Sequence, residues 1–135
     1  MGLFGLGDKK REHPLVLHVD DSRFVLTVVK TMLLTLGCEV IGALSGKECL
    51  KSARANKPDV ILLDTVMPEM DGVQTVTELK QDSATKDIPI IMLTGISIMR
   101  DVELALAAGA QGYLVKPVDI NQLRIKLAKF IPVLP

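Results

Sequence analysis

Tryptophan is absent from this chain, and one Tyr and three Phe are the only large aromatics. The core must therefore come from Val, Ile, Leu, Ala and Met, which the 48% hydrophobic content can supply. Net charge is absent too: sixteen basic residues balance sixteen acidic ones. That balance leaves no electrostatic footprint for nucleic acid, and no long basic run marks a membrane surface. The apolar runs are too short to span a bilayer. Two cysteines, Cys38 and Cys49, are too few for a disulfide framework or a zinc site and read as buried thiols in a reducing compartment. Basic residues follow the apolar start rather than precede it, which is not the order of a secretory signal. A single cytoplasmic domain is the expectation for 135 residues.

What is present is alternation. Leu15 to Val19 reads as a strand, and Ser22 caps a helix in which Phe24, Val25, Val28, Val29, Met32, Leu33 and Leu36 recur at helical spacing, ended by Gly37. Glu39 to Ala43 is a second strand, and Ser45 opens a helix to about Asn56, broken by Lys57-Pro58. Asp59 to Asp64 is a third strand, and Val73 to Gln81 a helix. Ile88 to Leu93, Met99 to Ala108 with Gly109 as cap, Tyr113 to Val115, and a helix from Asp119 to Phe130 complete the pattern. Five βα repeats predict an α/β fold, a parallel sheet with helices on both faces. The right-handed crossover rule limits the topology without fixing it. The flavodoxin-like doubly wound order 2-1-3-4-5 is the common solution expected here, with its switch point between strands 1 and 3.

Five residues follow these strands: Asp20 and Asp21, Asp64, Thr94 and Lys116. In an open parallel sheet such strand ends gather along one edge. Three carboxylates there repel one another unless a cation sits among them, and Mg2+ prefers hard oxygen ligands of this kind. Asp21 and Asp64 are the candidates for direct ligation, Asp20 for holding a metal-bound water, and the Val66 carbonyl for a further oxygen. Asp20 or Asp21 taken singly could be an ordinary helix cap. Asp64 resists that reading, because it ends four consecutive apolar residues, where an unpaired acid is costly. A hydroxyl at Thr94 and an ammonium at Lys116 complete a set able to hold a tetrahedral anion.

The segments Val19-Asp-Asp-Ser22, Asp64-Thr-Val-Met-Pro-Glu-Met-Asp-Gly72, Leu93-Thr-Gly95 and Gly109-Ala-Gln-Gly-Tyr-Leu-Val-Lys-Pro117 stand in the order and spacing of a known family. Over about residues 14 to 131 the chain resembles the receiver domains of two-component response regulators. The resemblance implies that Asp64 accepts a phosphoryl group from a phosphohistidine on a sensor histidine kinase or a histidine phosphotransfer protein. It implies that Asp20 and Asp21 serve Mg2+, that Thr94 and Lys116 contact the phosphoryl oxygens, and that Tyr113 is an aromatic switch. It also implies a cis Lys116-Pro117 bond.

The leading expectation is a stand-alone receiver that switches a protein-binding surface on the fourth helix, fifth strand and fifth helix. It would act on a downstream effector, as a monomer or a phosphorylation-dependent dimer, with no nucleic-acid partner and no transmembrane segment. It would promote its own phosphorylation and slow dephosphorylation without being a conventional turnover enzyme. A relay passing its phosphoryl group to a histidine phosphotransfer protein shares this site. A phosphorylation-independent binding module and a metal-dependent phosphohydrolase are weaker alternatives. Val66 and Ile96, two residues beyond Asp64 and Thr94, cannot hydrogen-bond an attacking water, so slow self-dephosphorylation is expected. The apolar stretch Ile96 to Met99 reads as the first turn of a core helix or as a docking patch. Residues 1–13 read as a flexible tail in which Leu6 spoils a myristoylation pattern. His13 is expected to be exposed and His18 packed in a strand. Residues 132–135 are read as the end of the chain with no output domain.

Overall fold

The computed structural model describes residues 11–67, 69–95 and 99–135. Strands with no polar alternation need cover on both faces, and this fold provides it. The elements are β1 (Leu15–Val19), α1 (Arg23–Thr35), β2 (Glu39–Ala43), α2 (Gly46–Asn56), β3 (Val60–Asp64), α3 (Gly72–Gln81), β4 (Ile90–Thr94), α4 (Met99–Ala108), β5 (Gly112–Val115) and α5 (Ile120–Leu127). All strand pairs are parallel, in the order β2-β1-β3-β4-β5. The doubly wound topology read from the periodicity is the one found. The expected N-terminal tail falls largely on residues 1–10, outside the described residues.

Every residue of β1, β3 and β4 is buried, while the marginal strands β2 and β5 are partly exposed. On one face Leu17, Val19, Ile61, Leu63, Ile90 and Met92 pack with Leu50 and Ala53 of α2, Val76 and Leu79 of α3, and Ala105 of α4. On the other, Val16, Val60, Leu62, Ile91, Leu93 and Leu114 pack with Val29 and Leu33 of α1 and Leu123 and Leu127 of α5. Val60, Ile61, Leu62 and Leu63 are each 0% exposed. Each contributes about 2 kcal/mol by burial, which offsets holding the next residue, Asp64, out of water.

Local chemistry sets the boundaries. The side chains of Ser22, Ser45, Asp71 and Asp119 each accept the backbone N–H three residues on, closing the open ends of α1, α2, α3 and α5. Gly37 and Gly109 turn the chain away from α1 and α4 with φ of 86° and 124°, which a Cβ disfavours. Three expectations shift. The β4 ladder starts at Ile90 rather than Ile88, since Ile88 N–H is spent on the Thr85 carbonyl and Pro89 has none. The α5 helix ends at Leu127, and the chain reaches Phe130 through tighter i→i+3 bonds. On α1, Phe24 is 77% and Val28 39% exposed. The apolar stripe there is wider than the arc the sheet covers, and Val29, Leu33 and Leu36 fill that arc.

Candidate functional site

At the carboxyl edge of the sheet the ends of β1, β3, β4 and β5 converge. Asp20, Asp21 and Asp64 bring carboxylate oxygens within 4.8 Å of one another. Asp20 and Asp64 are 1% and 5% exposed, whereas Asp21 faces solvent. Lys116, at the far end of the sequence, supplies the cation between the two buried acids. Its Nζ lies 3.0 Å from Asp20 Oδ2 and 3.2 Å from Asp64 Oδ1. Asp20 Oδ1 also accepts the Ser22 N–H at 2.9 Å, and Asp64 Oδ1 the Val66 N–H at 3.3 Å. Among the described residues no hydrogen bond reaches Asp64 Oδ2.

The electrostatics follow from burial. Desolvation, aided by the neighbouring Asp20 charge, pushes the Asp64 carboxyl above its usual range, against the pull of Lys116 and the Val66 N–H. Burial works against the charge on Lys116 as well. The bonds and charges of Asp20 and Asp64 outweigh it and hold the ammonium above its ordinary value. Three oxygen donors with a single lysine to neutralise them fit a small hard dication better than a soft metal.

A rigid backbone holds these groups. The loop after Asp64 folds back so tightly that a Cβ on Gly72 would sit 2.7 Å from the Asp64 carbonyl oxygen. Lys116 N–H donates to the Thr94 carbonyl at 2.7 Å, tying the cation to the end of β4. The Lys116-Pro117 peptide is cis. Thr94 is 0% exposed, and its hydroxyl donates to the Gly95 carbonyl at 3.0 Å. Tyr113, in register with Met92, lies 36% exposed on β5, with Lys126 Nζ 5.8 Å from its ring centroid.

A profile of the response regulator receiver domain matches residues 16–128 of this chain. The chain belongs to the response regulator receiver family. The receiver is 43% identical over 110 residues to the transcriptional regulatory protein PrrA of Mycobacterium bovis, covering 82% of this chain and 46% of that protein. To the probable transcriptional regulator ycf27 of Cyanidium caldarium it is 35% identical, over 90% of this chain and 47% of the relative. It thus spans about half the length of the curated relatives it matches. Among solved structures, chemotaxis protein CheY4 of Vibrio cholerae superposes with TM-score 0.82 at 35% identity, covering 88% of this chain and 99% of that one. The receiver domain of sensor histidine kinase PA1611 from Pseudomonas aeruginosa, with a magnesium ion coordinated in its active site cleft, superposes with TM-score 0.81. It is 31% identical and covers 87% of this chain and 97% of that one.

The receiver thus brings Asp20, Asp21, Asp64, Thr94 and Lys116 to one edge. Val66 stands beside them, 54% exposed. Ile96 and the stretch through Ile98 lie outside the described residues, as does the side chain of Met99. Sequence reading missed Thr65, 2% exposed, whose Oγ1 lies 3.3 Å from Thr94 Oγ1. A threonine just past a strand looks like any loop residue, and only the β3–β4 pairing reveals the contact. Away from these residues a groove of about 200 Å³ lies between α1 and β2, lined by His18, Leu26, Thr27, Lys30, Val40 and Gly42. His18 is packed as expected and 0% exposed, but neither ring nitrogen has a partner among the described residues. Burial lowers its pKa to about 4, so it is neutral near pH 7. Both thiols are buried, and burial pushes Cys49 up to about 12, leaving it unreactive.

Proposed function

We propose that this receiver accepts a phosphoryl group on Asp64 from a phosphohistidine of a kinase or phosphotransfer protein and thereby switches a protein-binding surface. The observation that carries this reading is Lys116 bridging Asp20 and Asp64 Oδ1 at the end of β3, with no hydrogen bond to Asp64 Oδ2 among the described residues. That oxygen is the nucleophile. In-line attack forms the O–P bond as the P–N bond to histidine breaks, and the electron pair leaves with the imidazole. Lys116 turns part of its charge toward the new equatorial oxygens. Asp20, Asp21, Asp64 and the Val66 carbonyl would hold Mg2+, which supplies further neutralisation at those oxygens when bound. Thr94 donates its hydroxyl to the phosphoryl group, and Tyr113 moves into the space the threonine vacates.

The altered surface comprises α4, β5 and α5, and its partner is a protein. Among the described residues no general acid or base stands ready for turnover; in our reading the receiver promotes its own phosphorylation and decays slowly rather than acting as a conventional enzyme. Val66 offers an attacking water nothing to bond to, which lengthens the lifetime. Among the described residues no helix is long and apolar enough to cross a membrane, and we place the domain in the cytoplasm. The likeness to a receiver of a sensor histidine kinase keeps a relay role beside the effector role.

Intact mass followed over time with Mg2+ and acetyl phosphate tests the reading. One phosphoryl addition is expected, absent in Asp64→Ala, and its decay gives the lifetime. Addition that persists in Asp64→Ala overturns the assignment.

A further inference from the structure

In the resting receiver the switch threonine already has a partner. Thr65 follows the phosphoacceptor, and its hydroxyl lies 3.3 Å from Thr94 Oγ1 and 3.4 Å from the Leu93 carbonyl oxygen. Its own backbone is held at both ends. Thr65 N–H donates to Leu93 O at 3.1 Å, and Thr65 C=O accepts the Gly72 N–H at 3.1 Å. Gly72 passes so close that a Cβ there would sit 2.9 Å from Thr65 Cα. The backbone that carries the Thr65 hydroxyl is therefore closely held.

Thr94 has one hydroxyl proton, and it goes to the Gly95 carbonyl at 3.0 Å. Its oxygen is left to accept, and among the described residues Thr65 is the donor that reaches it. To donate toward Asp64, Thr94 must give up both bonds. Thr65 is not stranded by that exchange, because the Leu93 carbonyl remains within its reach. A buried donor with a second acceptor can release the first without the penalty of an unmet group.

We propose that Thr65 is a positioning residue that holds Thr94 in its resting orientation and so sets how far the switch leans toward rest before any phosphoryl group arrives. The proposal rests on the phosphoacceptor reading of Asp64. Its sign is definite, because the Thr65–Thr94 bond exists only at rest. Removing the donor leaves Thr94 Oγ1 buried without it and tilts the equilibrium toward the signalling orientation. One net hydrogen bond moves such an equilibrium about fivefold.

The test compares wild type with Thr65→Val, which keeps the shape and loses the hydroxyl, and with Thr65→Ser, which keeps the hydroxyl. A third variant, Thr65→Cys, has a weak donor and serves if the valine fails to fold. Methyl scalar couplings report the Thr94 χ1 population without phosphodonor, and intact mass reports uptake from acetyl phosphate. Thr65→Val is expected to raise the minor χ1 population and the uptake rate about fivefold, with Thr65→Cys between it and wild type. Thr65→Ser is expected to stay within about twofold of wild type. Unchanged Thr94 populations in Thr65→Val, or equal shifts in the serine and valine variants, overturn the proposal. If wild type gains no phosphoryl mass, the Asp64 reading fails, while the χ1 populations still decide whether Thr65 holds Thr94.

Discussion

The interior strand ends and the β5 margin treat polar groups in opposite ways. At the ends of β1, β3 and β4, Asp20, Asp64, Thr65 and Thr94 are 5% exposed or less, and each has a hydrogen-bond partner. On β5, Tyr113 is 36% exposed, with the Lys126 ammonium 5.8 Å from its ring centroid. Inside, a missing partner leaves a buried charge uncompensated. At the margin, water takes the place of whatever is lost. Charge capture and signal display are therefore separable, and mutations at the two places should differ in kind.

The largest effect is expected where the comparison is sharpest. Lys116→Met removes the cation from two buried carboxylates, a loss of about 2 kcal/mol in unfolding free energy. The figure is below the usual cost of breaking a buried pair because the Lys116 side chain is 29% exposed. Phosphoryl uptake should fall by more than about tenfold, since one of the phosphoryl group's neutralising partners is gone. Denaturant titration and intact mass measure the two losses. Unchanged uptake would sink the role given to Lys116.

A smaller effect sharpens the comparison between β1 and the residue that follows it. His18 and Asp20 are both buried on that side of the molecule, but Asp20 has two partners and His18 none. The unfolded His18 titrates near 6.5 and the folded one near 4, so the unfolded chain binds a proton that the folded chain refuses. Stability contributed by the neutral ring is present above 6.5 and is lost as pH falls toward 4. Between pH 7 and pH 4.5 the wild type should lose about 2 kcal/mol more than His18→Leu, measured by urea unfolding in a chelator. Parallel curves for the two proteins would show the ring to be solvated.

The smallest effect on the domain belongs to the margin. Tyr113→Ala should change unfolding free energy by less than about 1 kcal/mol, as half-exposed positions do. Phosphoryl uptake should stay at the wild-type level. Affinity of the phosphorylated protein for its partner should fall, measured by calorimetry. Equal affinity for mutant and wild type would remove Tyr113 from the switch.

The fold was legible because β3 and β4 are apolar up to their last residue and four helices open on their own cap, as at Ser22, Ser45 and Asp119. The edge residues were legible because Asp64 and Thr94 end such runs, where a polar side chain must have a reason. Three things were not. The Lys116–Asp20 pair joins residues 96 apart in sequence, a closeness only the sheet creates. Thr65 is defined by a neighbour on another strand. The exposure of Phe24 depends on how wide an arc of α1 the sheet covers, which helical spacing alone does not give.

The backbone around the switch has a consequence in time. The Thr94 carbonyl is bonded to Lys116 N–H and the Leu93 carbonyl to Thr65 N–H, so the main chain there has little freedom and the change at Thr94 reduces to one side-chain torsion. A single side-chain torsion needs no movement of a domain or a lid, the class of motion that takes microseconds to milliseconds. On the proposed phosphoacceptor reading of Asp64, a switch of that size would follow the phosphoryl group without a rearranged backbone to undo. The duration of the signal would then be set by the chemical lifetime of the O–P bond.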